Sequence, residues 1–357
     1  MASASPRPLR AGIIGCGVGQ SHIRGYVANG AEVIALAGLD EERCRQAQQE
    51  YNIPYVYRDY QDLLARDDLD MVSIAVPNFL HAEVTLAALE RGLHVCVEKP
   101  LAHTVADAKR IVNAPRRPDQ QLMIMFNWRF RSDSQAMKRY VASGAMGRLY
   151  YAKAGWMRRS GIPGMGGWFT QKALSGGGPL IDLGVHMLDL SLWLLDYPKA
   201  VSVMGATYAE FGPRGRGSVG GRFTTGAGGY EVEDLATAFI RLETGTTLLL
   251  EASWASFSHF RDDFYVHLYG ADGGAEMNVK EYTEVDTLTF YGEVADTAVE
   301  MKPTVRAGHA HSLGIQEFMG AIRENRPNLS PPEQGLALMQ IIDAVYRSAA
   351  EGHEVSL

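Results

Sequence analysis

LRAGIIGCGVGQ, Leu9 to Gln20, decides the fold. Its front reads as a short buried strand, its middle as a glycine-rich turn and its end as the start of a helix. Gly15 and Gly17 sit where a dinucleotide-binding turn needs them. One makes the tight turn, and the other lets backbone approach a pyrophosphate at the helix N-terminus. The third glycine of G-x-G-x-x-G is missing, because position 20 is Gln and Gly19 falls one place early. Alone, the broken pattern is weak. Its setting strengthens it: EVIALAGLD follows as a second strand ending in Asp40. Asp40 would accept hydrogen bonds from an adenosine ribose and repel a 2′-phosphate, which favours NAD. Arg43 nearby leaves NADP possible, and Asp40 is equally suited to cap the helix that follows.

Outward from this stretch the rhythm repeats. A helix runs from Glu41 to about Tyr51, then DYQDLLAR is a helix, DMVSIAVP a strand and HAEVTLAALERG a helix. HVCVEKP follows as a strand, TVADAKRIV as a helix and LMIMFN as a strand. Short apolar strands between amphipathic helices imply a parallel sheet covered on both faces. After Asn127 come SDSQAMKRYVASG as a helix and GRLYYAKAGWMRRS as a strand. Later strands, AVSVMGATYAEF through VDTLTFYG, have no helices between them and predict a mostly antiparallel open sheet. HSLGIQEFMGAIRENR and PEQGLALMQIIDAVYRSAAEG close the chain as amphipathic helices. The fold class is α/β: an N-terminal doubly wound Rossmann domain over residues 1–126, and a C-terminal α/β domain with the open sheet over 127–357.

Composition bounds the function. A chain of 357 residues, 46% hydrophobic and 21% charged, suits two globular domains. A net charge of −7 argues against nucleic acid or an anionic membrane as partner. No apolar run approaches ~20 residues, so no membrane span is expected. MASASPRPLR runs into a strand without the features of a signal peptide. Cys16, Cys44 and Cys96 are too few and too scattered for a disulfide framework or zinc site, and reduced cytoplasm is the expected compartment.

The second informative stretch is GGGPLIDLGVHMLDLSLWLL, Gly176 to Leu195. As a helix it is apolar nearly all round and should be buried. Asp182, His186 and Asp189, at i, i+4 and i+7, form one polar line that must face partners, a ligand or a metal. The remaining histidines suggest no completing ligand set, so no metal site is assigned. VPNFLH (Val76 to His81) and VCVEKP (Val95 to Pro100) lie at the C-terminal ends of expected strands, where parallel sheets bind ligands. The second puts Lys99 at the rim of a cleft, with a cis peptide to Pro100 plausible. Arg158 to Phe169 offers arginines and Trp168 as a sugar-stacking or phosphate-binding wall, or as a plug on the domain's edge. Gly212 to Gly229, with Arg214, Arg216 and Arg222, reads as a mobile glycine-rich loop.

With Gly15-x-Gly17, Asp40, Pro77-Asn78, Glu98-Lys99-Pro100 and GGGPLIDLGVH in place, the chain resembles the Gfo/Idh/MocA oxidoreductases from Leu9 to Leu357. The resemblance implies Lys99, Asp182 and His186 as the catalytic lysine, aspartate and histidine. Expected cofactor contacts are Gly15, Gly17, Val18, Asp40, Pro77, Asn78, His81, Glu98 and Lys99. Arg129, Arg158 and Trp168 join Asp182 and His186 as candidate substrate contacts, and Asp189 is placed behind as a structural partner. The expected reaction is NAD(P)-dependent oxidation of a secondary ring hydroxyl of a sugar, glycoside or cyclitol, or its reverse. The resemblance also implies a homodimer or homotetramer formed through the C-terminal sheet. An NAD-dependent glycosidase and a non-catalytic cofactor-sensing regulator are the alternatives.

Overall fold

Six short strands alternate with helices at the start of the computed structural model, which describes residues 7–218, 229–305 and 308–357. They are β1 (Arg10–Ile14), β2 (Glu32–Ala37), β3 (Tyr55–Tyr57), β4 (Met71–Ile74), β5 (His94–Glu98) and β6 (Leu122–Met125). Between them lie α1 (Gly19–Ala28), α2 (Glu41–Tyr51), α3 (Tyr60–Leu64), α4 (His81–Glu90) and α5 (Val105–Val112). The sheet is wholly parallel, in the order β3-β2-β1-β4-β5-β6. That order reverses direction between β1 and β4, the topological switch point beyond which such sheets bind dinucleotides.

The remaining helices are α6 (Ser132–Ala142), α7 (Lys172–Ser175), α8 (Val185–Leu194), α9 (Ala310–Glu324) and α10 (Pro332–Glu351). Nine strands form the second sheet: β7 (Leu149–Arg158), β8 (Ala200–Tyr208), β9 (Leu235–Leu242), β10 (Thr247–Ser253), β11 (Asp262–Gly270), β12 (Gly274–Lys280), β13 (Leu288–Val294), β14 (Thr297–Met301) and β15 (Val355–Ser356). Their order is β14-β13-β12-β11-β7-β10-β9-β8-β15. Only the central β7–β10 pair is parallel. The helix carrying Asp182 and His186 is buried on nearly every side, as its all-round apolar sequence requires.

The chain divides into two compact units. Unit 1 holds residues up to Ala102, Ala106–Asn127 and His309–Gly335; unit 2 holds His103–Val105, Trp128–Gly308 and Leu336–Leu357. A single C-terminal domain over 127–357 is therefore corrected. Ile315, Phe318 and Met319 of α9 are buried in the core of unit 1 beside Ile23 and Tyr26. An amphipathic helix goes where its apolar stripe is covered, whatever its place in the chain.

Two further expectations change. Cys16, in the glycine turn, and Cys44, on α2, form a disulfide with Cα atoms 5.6 Å apart; Cys96 is free and buried. The turn and the helix meet over Gly38, where a Cβ would overlap both sulfurs, so two thiols distant in sequence become neighbours. The loop from Gly212 is ordered at its start: Gly212–Arg214 form a 3₁₀ turn, Arg214 pairs with Glu210, and the Gly217 carbonyl accepts from the N–H groups of Gly161 and Ile162. Arg222 lies outside the described residues. Among the described residues no helix is long and apolar enough to cross a membrane.

Candidate active site

In unit 1 the glycine turn follows β1 directly. Gly15 has φ +109°, and a Cβ there would overlap the carbonyl oxygen of Ala75 at the end of β4. Glycine is required at that position both conformationally and sterically. A Cβ at Gly17 would meet nothing within 4 Å, and Val18, at the N-terminus of α1, is 52% exposed. A bare, open turn at a helix N-terminus fits a bound pyrophosphate. Asp40 caps α2, accepting from the Arg43 N–H at 3.1 Å, and also pairs with the Arg43 guanidinium at 3.2 Å. Its capping role and its place at the end of β2 coexist.

Pro77 precedes a 3₁₀ turn, Asn78–Leu80, at the end of β4. His81 opens α4 and does not reach outward as a cofactor contact would. Its Nδ1 and Nε2 lie 2.6 and 2.9 Å from the carbonyl oxygens of Pro100 and Val76, and burial holds its pKa below the usual imidazole value. It ties the two strand-end loops together. The Lys99–Pro100 peptide is cis. Glu98, expected at the cofactor, turns inward instead: Oε1 is 2.8 Å from His22 Nε2, and Oε2 accepts from the Lys99 N–H at 3.2 Å.

In unit 2 the site helix does not start as a regular α-helix. Leu180–Gly184 form a π turn that passes into α8. Such turns leave the regular hydrogen-bond ladder and are frequent at functional sites. Its N-terminal N–H groups are satisfied by Glu233, whose carboxylate accepts from Gly178 at 3.0 Å and from Leu180 at 3.1 Å, with the Tyr346 hydroxyl donating at 2.9 Å. Burial pushes the Glu233 pKa up despite these donors. Sequence reasoning missed Glu233, since the only signal is a carboxylate ahead of a strand in EVEDL.

The polar line on this helix divides among three environments. Asp182 accepts from Trp254 Nε1 at 2.9 Å. His186 lies among rings, 5.9 Å from Trp128 and 5.7 Å from Trp156. Asp189 is fully buried and takes both arms of the Arg129 guanidinium, with Tyr197 donating to the same carboxylate at 2.6 Å. These three are no ligand cluster, and Asp189 is the structural partner expected. Arg129 is corrected: with none of its surface exposed, it cannot touch a substrate.

Around His186 and Asp182 the structure adds residues the sequence did not single out. Arg158 does reach this region, but its Nε donates to Asp262 at 2.9 Å and its Nη2 to the Tyr282 hydroxyl at 2.8 Å, and Asp182 is close enough to act on its charge. Trp156 donates to the same Asp262 oxygen at 2.7 Å, and Trp128, Phe264 and Tyr282 pack beside it. Trp168 stacks on Phe169 with centroids 3.8 Å apart, and Phe169 meets the Trp254 edge. The half-buried Trp168 thus belongs to an aromatic wall that leads to Asp182. Aromatic faces with a few fixed polar groups suit a polyol ring, whose C–H faces stack while its hydroxyls hydrogen-bond.

Comparison with known proteins agrees with this architecture. Residues 9–126 match an oxidoreductase family profile described as an NAD-binding Rossmann fold, and residues 134–276 match a GFO/IDH/MocA C-terminal domain. A D-glucoside 3-dehydrogenase of Escherichia coli (strain K12) is 32% identical over 98% of this chain and 98% of its own. An inositol 2-dehydrogenase of Salmonella paratyphi B is 31% identical over 97% of this chain and 95% of its own. A solved levoglucosan dehydrogenase, complexed with NADH and levoglucosan, superposes with a TM-score of 0.86 at 24% identity, covering 98% of this chain and 99% of that one.

Proposed function

This chain belongs to the Gfo/Idh/MocA family of oxidoreductases with an NAD-binding Rossmann domain, and from that premise we propose that it interconverts a secondary ring hydroxyl of a neutral sugar, glycoside or cyclitol with the ketone. NAD, when bound, supplies the hydride acceptor; Gly15, Gly17 and Val18 would hold its pyrophosphate and Asp40 its ribose. His186 takes the hydroxyl proton, a role suited to an imidazole whose ordinary pKa lies near neutrality. Lys99 donates to the reacting oxygen and stabilises alkoxide character as it develops. Asp182, held by Trp254, orients the ring. Trp168 and the neighbouring aromatic side chains receive its C–H face.

One observation carries this reading: Lys99, Asp182 and His186 occur together in a chain with end-to-end likeness to a D-glucoside 3-dehydrogenase. The preference for a neutral ring comes from Arg158. Its charge is already met by Asp262, with Asp182 nearby, so it has little left to offer a phosphate.

The test is nicotinamide absorbance over a panel of glycosides, cyclitols, free sugars and sugar phosphates, each with NAD and NADP. Turnover of neutral rings with NAD is expected, and Lys99→Met or His186→Asn should each lower kcat by about 100-fold or more. Parental turnover in either variant would overturn the assignment of that residue.

A further inference from the structure

A buried cluster in unit 1 is left unused by the chemistry above. His22 on α1, Glu98 at the end of β5 and His311 on α9 bring their ligating atoms within 4.8 Å of one another. His22 Nε2 is 2.8 Å and His311 Nε2 3.6 Å from the same oxygen, Glu98 Oε1. Tetrahedral zinc, with bonds of about 2.0–2.1 Å, keeps its ligand atoms about 3.3 Å apart, so the shorter contact is a hydrogen bond rather than two ligands on zinc. The contacts form one continuous chain. Glu98 Oε1 lies 2.8 Å from His22 Nε2, and the other ring nitrogen, Nδ1, lies 2.9 Å from Ser73 Oγ. Ser73 Oγ is also 2.9 Å from the Tyr26 hydroxyl oxygen. At the far end, Glu98 Oε2 accepts from the backbone N–H of Lys99.

We propose that the relay Tyr26–Ser73–His22–Glu98, braced by His311, positions Lys99, and that Glu98 and His311 are positioning residues for hydride transfer rather than cofactor contacts. The proposal rests on the catalytic reading of Lys99. A lysine side chain is long and flexible, and its aim depends on where its backbone is fixed. Here the fixed point is one carboxylate oxygen, while the other oxygen is held by His22 at 2.8 Å and faces His311 at 3.6 Å, from helices far apart in sequence. Displacing a reacting group by about 1 Å can cost about 100-fold in rate.

The carboxylate form is the one that can accept from both His22 and the Lys99 N–H while facing His311. Burial favours its protonation, but the two imidazoles outweigh burial and hold its pKa well below the usual value. The other titratable groups facing it are Cys96 on its own strand and His81 on α4, with Tyr26 one hydroxyl removed. Losing His311 should raise the Glu98 pKa, so protonation and loss of rate begin at higher pH.

The experiment compares Glu98→Gln, His311→Ala, His311→Gln and Lys99→Met in the full-length chain, reading kcat, sugar KM, NADH affinity, melting temperature and the pH profile of kcat. Glu98→Gln is expected to lower kcat about 10- to 100-fold, with KM and NADH affinity within about 3-fold of the parent. His311→Ala should lower kcat several-fold and move the acid limb upward, and His311→Gln should restore both in part. His311 is partly exposed, so its variants carry the test if Glu98→Gln fails to fold. Parental kcat in Glu98→Gln, or a fall in melting temperature with the acid limb unmoved in His311→Ala, would overturn the relay. An inactive Lys99→Met beside a fully active Glu98→Gln would sink the relay alone; an active Lys99→Met would sink the catalytic reading with it.

Discussion

Arg129 shows how a residue's chemistry can be legible while its purpose is not. Next to an expected cleft, an arginine suggests a substrate contact, but its partner Asp189 lies 60 positions away and only the fold brings them together. With both side chains 1% exposed, the pair depends on mutual compensation. Burying two ions is costly, and removing one leaves the other without a counter-charge. Arg129→Ala should therefore lower the unfolding free energy by about 3–5 kcal/mol, measured by urea denaturation. Tyr197→Phe, which leaves the ion pair intact, should cost about 1 kcal/mol. An Arg129→Ala protein of parental stability but raised sugar KM would restore the substrate role. Asp182 and His186 were easier to find, because carboxylate and imidazole on an otherwise apolar helix stand out wherever their partners come from. Their rings and donors, Trp254, Trp128 and Trp156, were not visible because aromatic residues within or beside apolar stretches read first as core.

At the scale of elements, alternation of short apolar runs and amphipathic helices made the parallel sheet legible, since period and burial are local properties. The beginning of the site helix was not legible. Pro179 and the glycines before it mark a start, yet nothing local announces the π turn at Leu180–Gly184. Its end is organised from elsewhere, by the Glu233 carboxylate and the Tyr346 hydroxyl. A Cβ on Gly178 would overlap the Glu233 carbonyl oxygen, so the glycines keep that approach open. Gly178→Ala should destabilise the protein by about 1–3 kcal/mol through overpacking. Glu233→Ala should cost at least as much, because it strips acceptors from buried N–H groups at the helix end. Thermal melts of the two variants check this, and a parental melt for Glu233→Ala would show that the cap is dispensable.

For the whole molecule, the decisive fact is that chain order and unit membership differ. A boundary near residue 126 is the natural reading of a chain whose strand pattern changes there, because sequence shows where a rhythm stops but not where a later helix returns. The return is substantial. Ile315, Phe318 and Met319 of α9 are at most 1% exposed in unit 1, and a Cβ on Gly25 of α1 would come within 2.9 Å of Ile315, which shows how closely the two helices pack. Burying each of those side chains is worth about 1.5–3 kcal/mol, together roughly 5–9 kcal/mol. A domain's entire net stability is about 5–15 kcal/mol. A fragment of residues 1–127 should therefore fail to fold alone, giving no cooperative melt, binding a hydrophobic dye and showing no affinity for NADH. Joining residues 309–335 to it through a glycine–serine linker should restore a cooperative transition. A 1–127 fragment that melts cooperatively and binds NADH unaided would show that α9 is an accessory to unit 1 rather than part of its core.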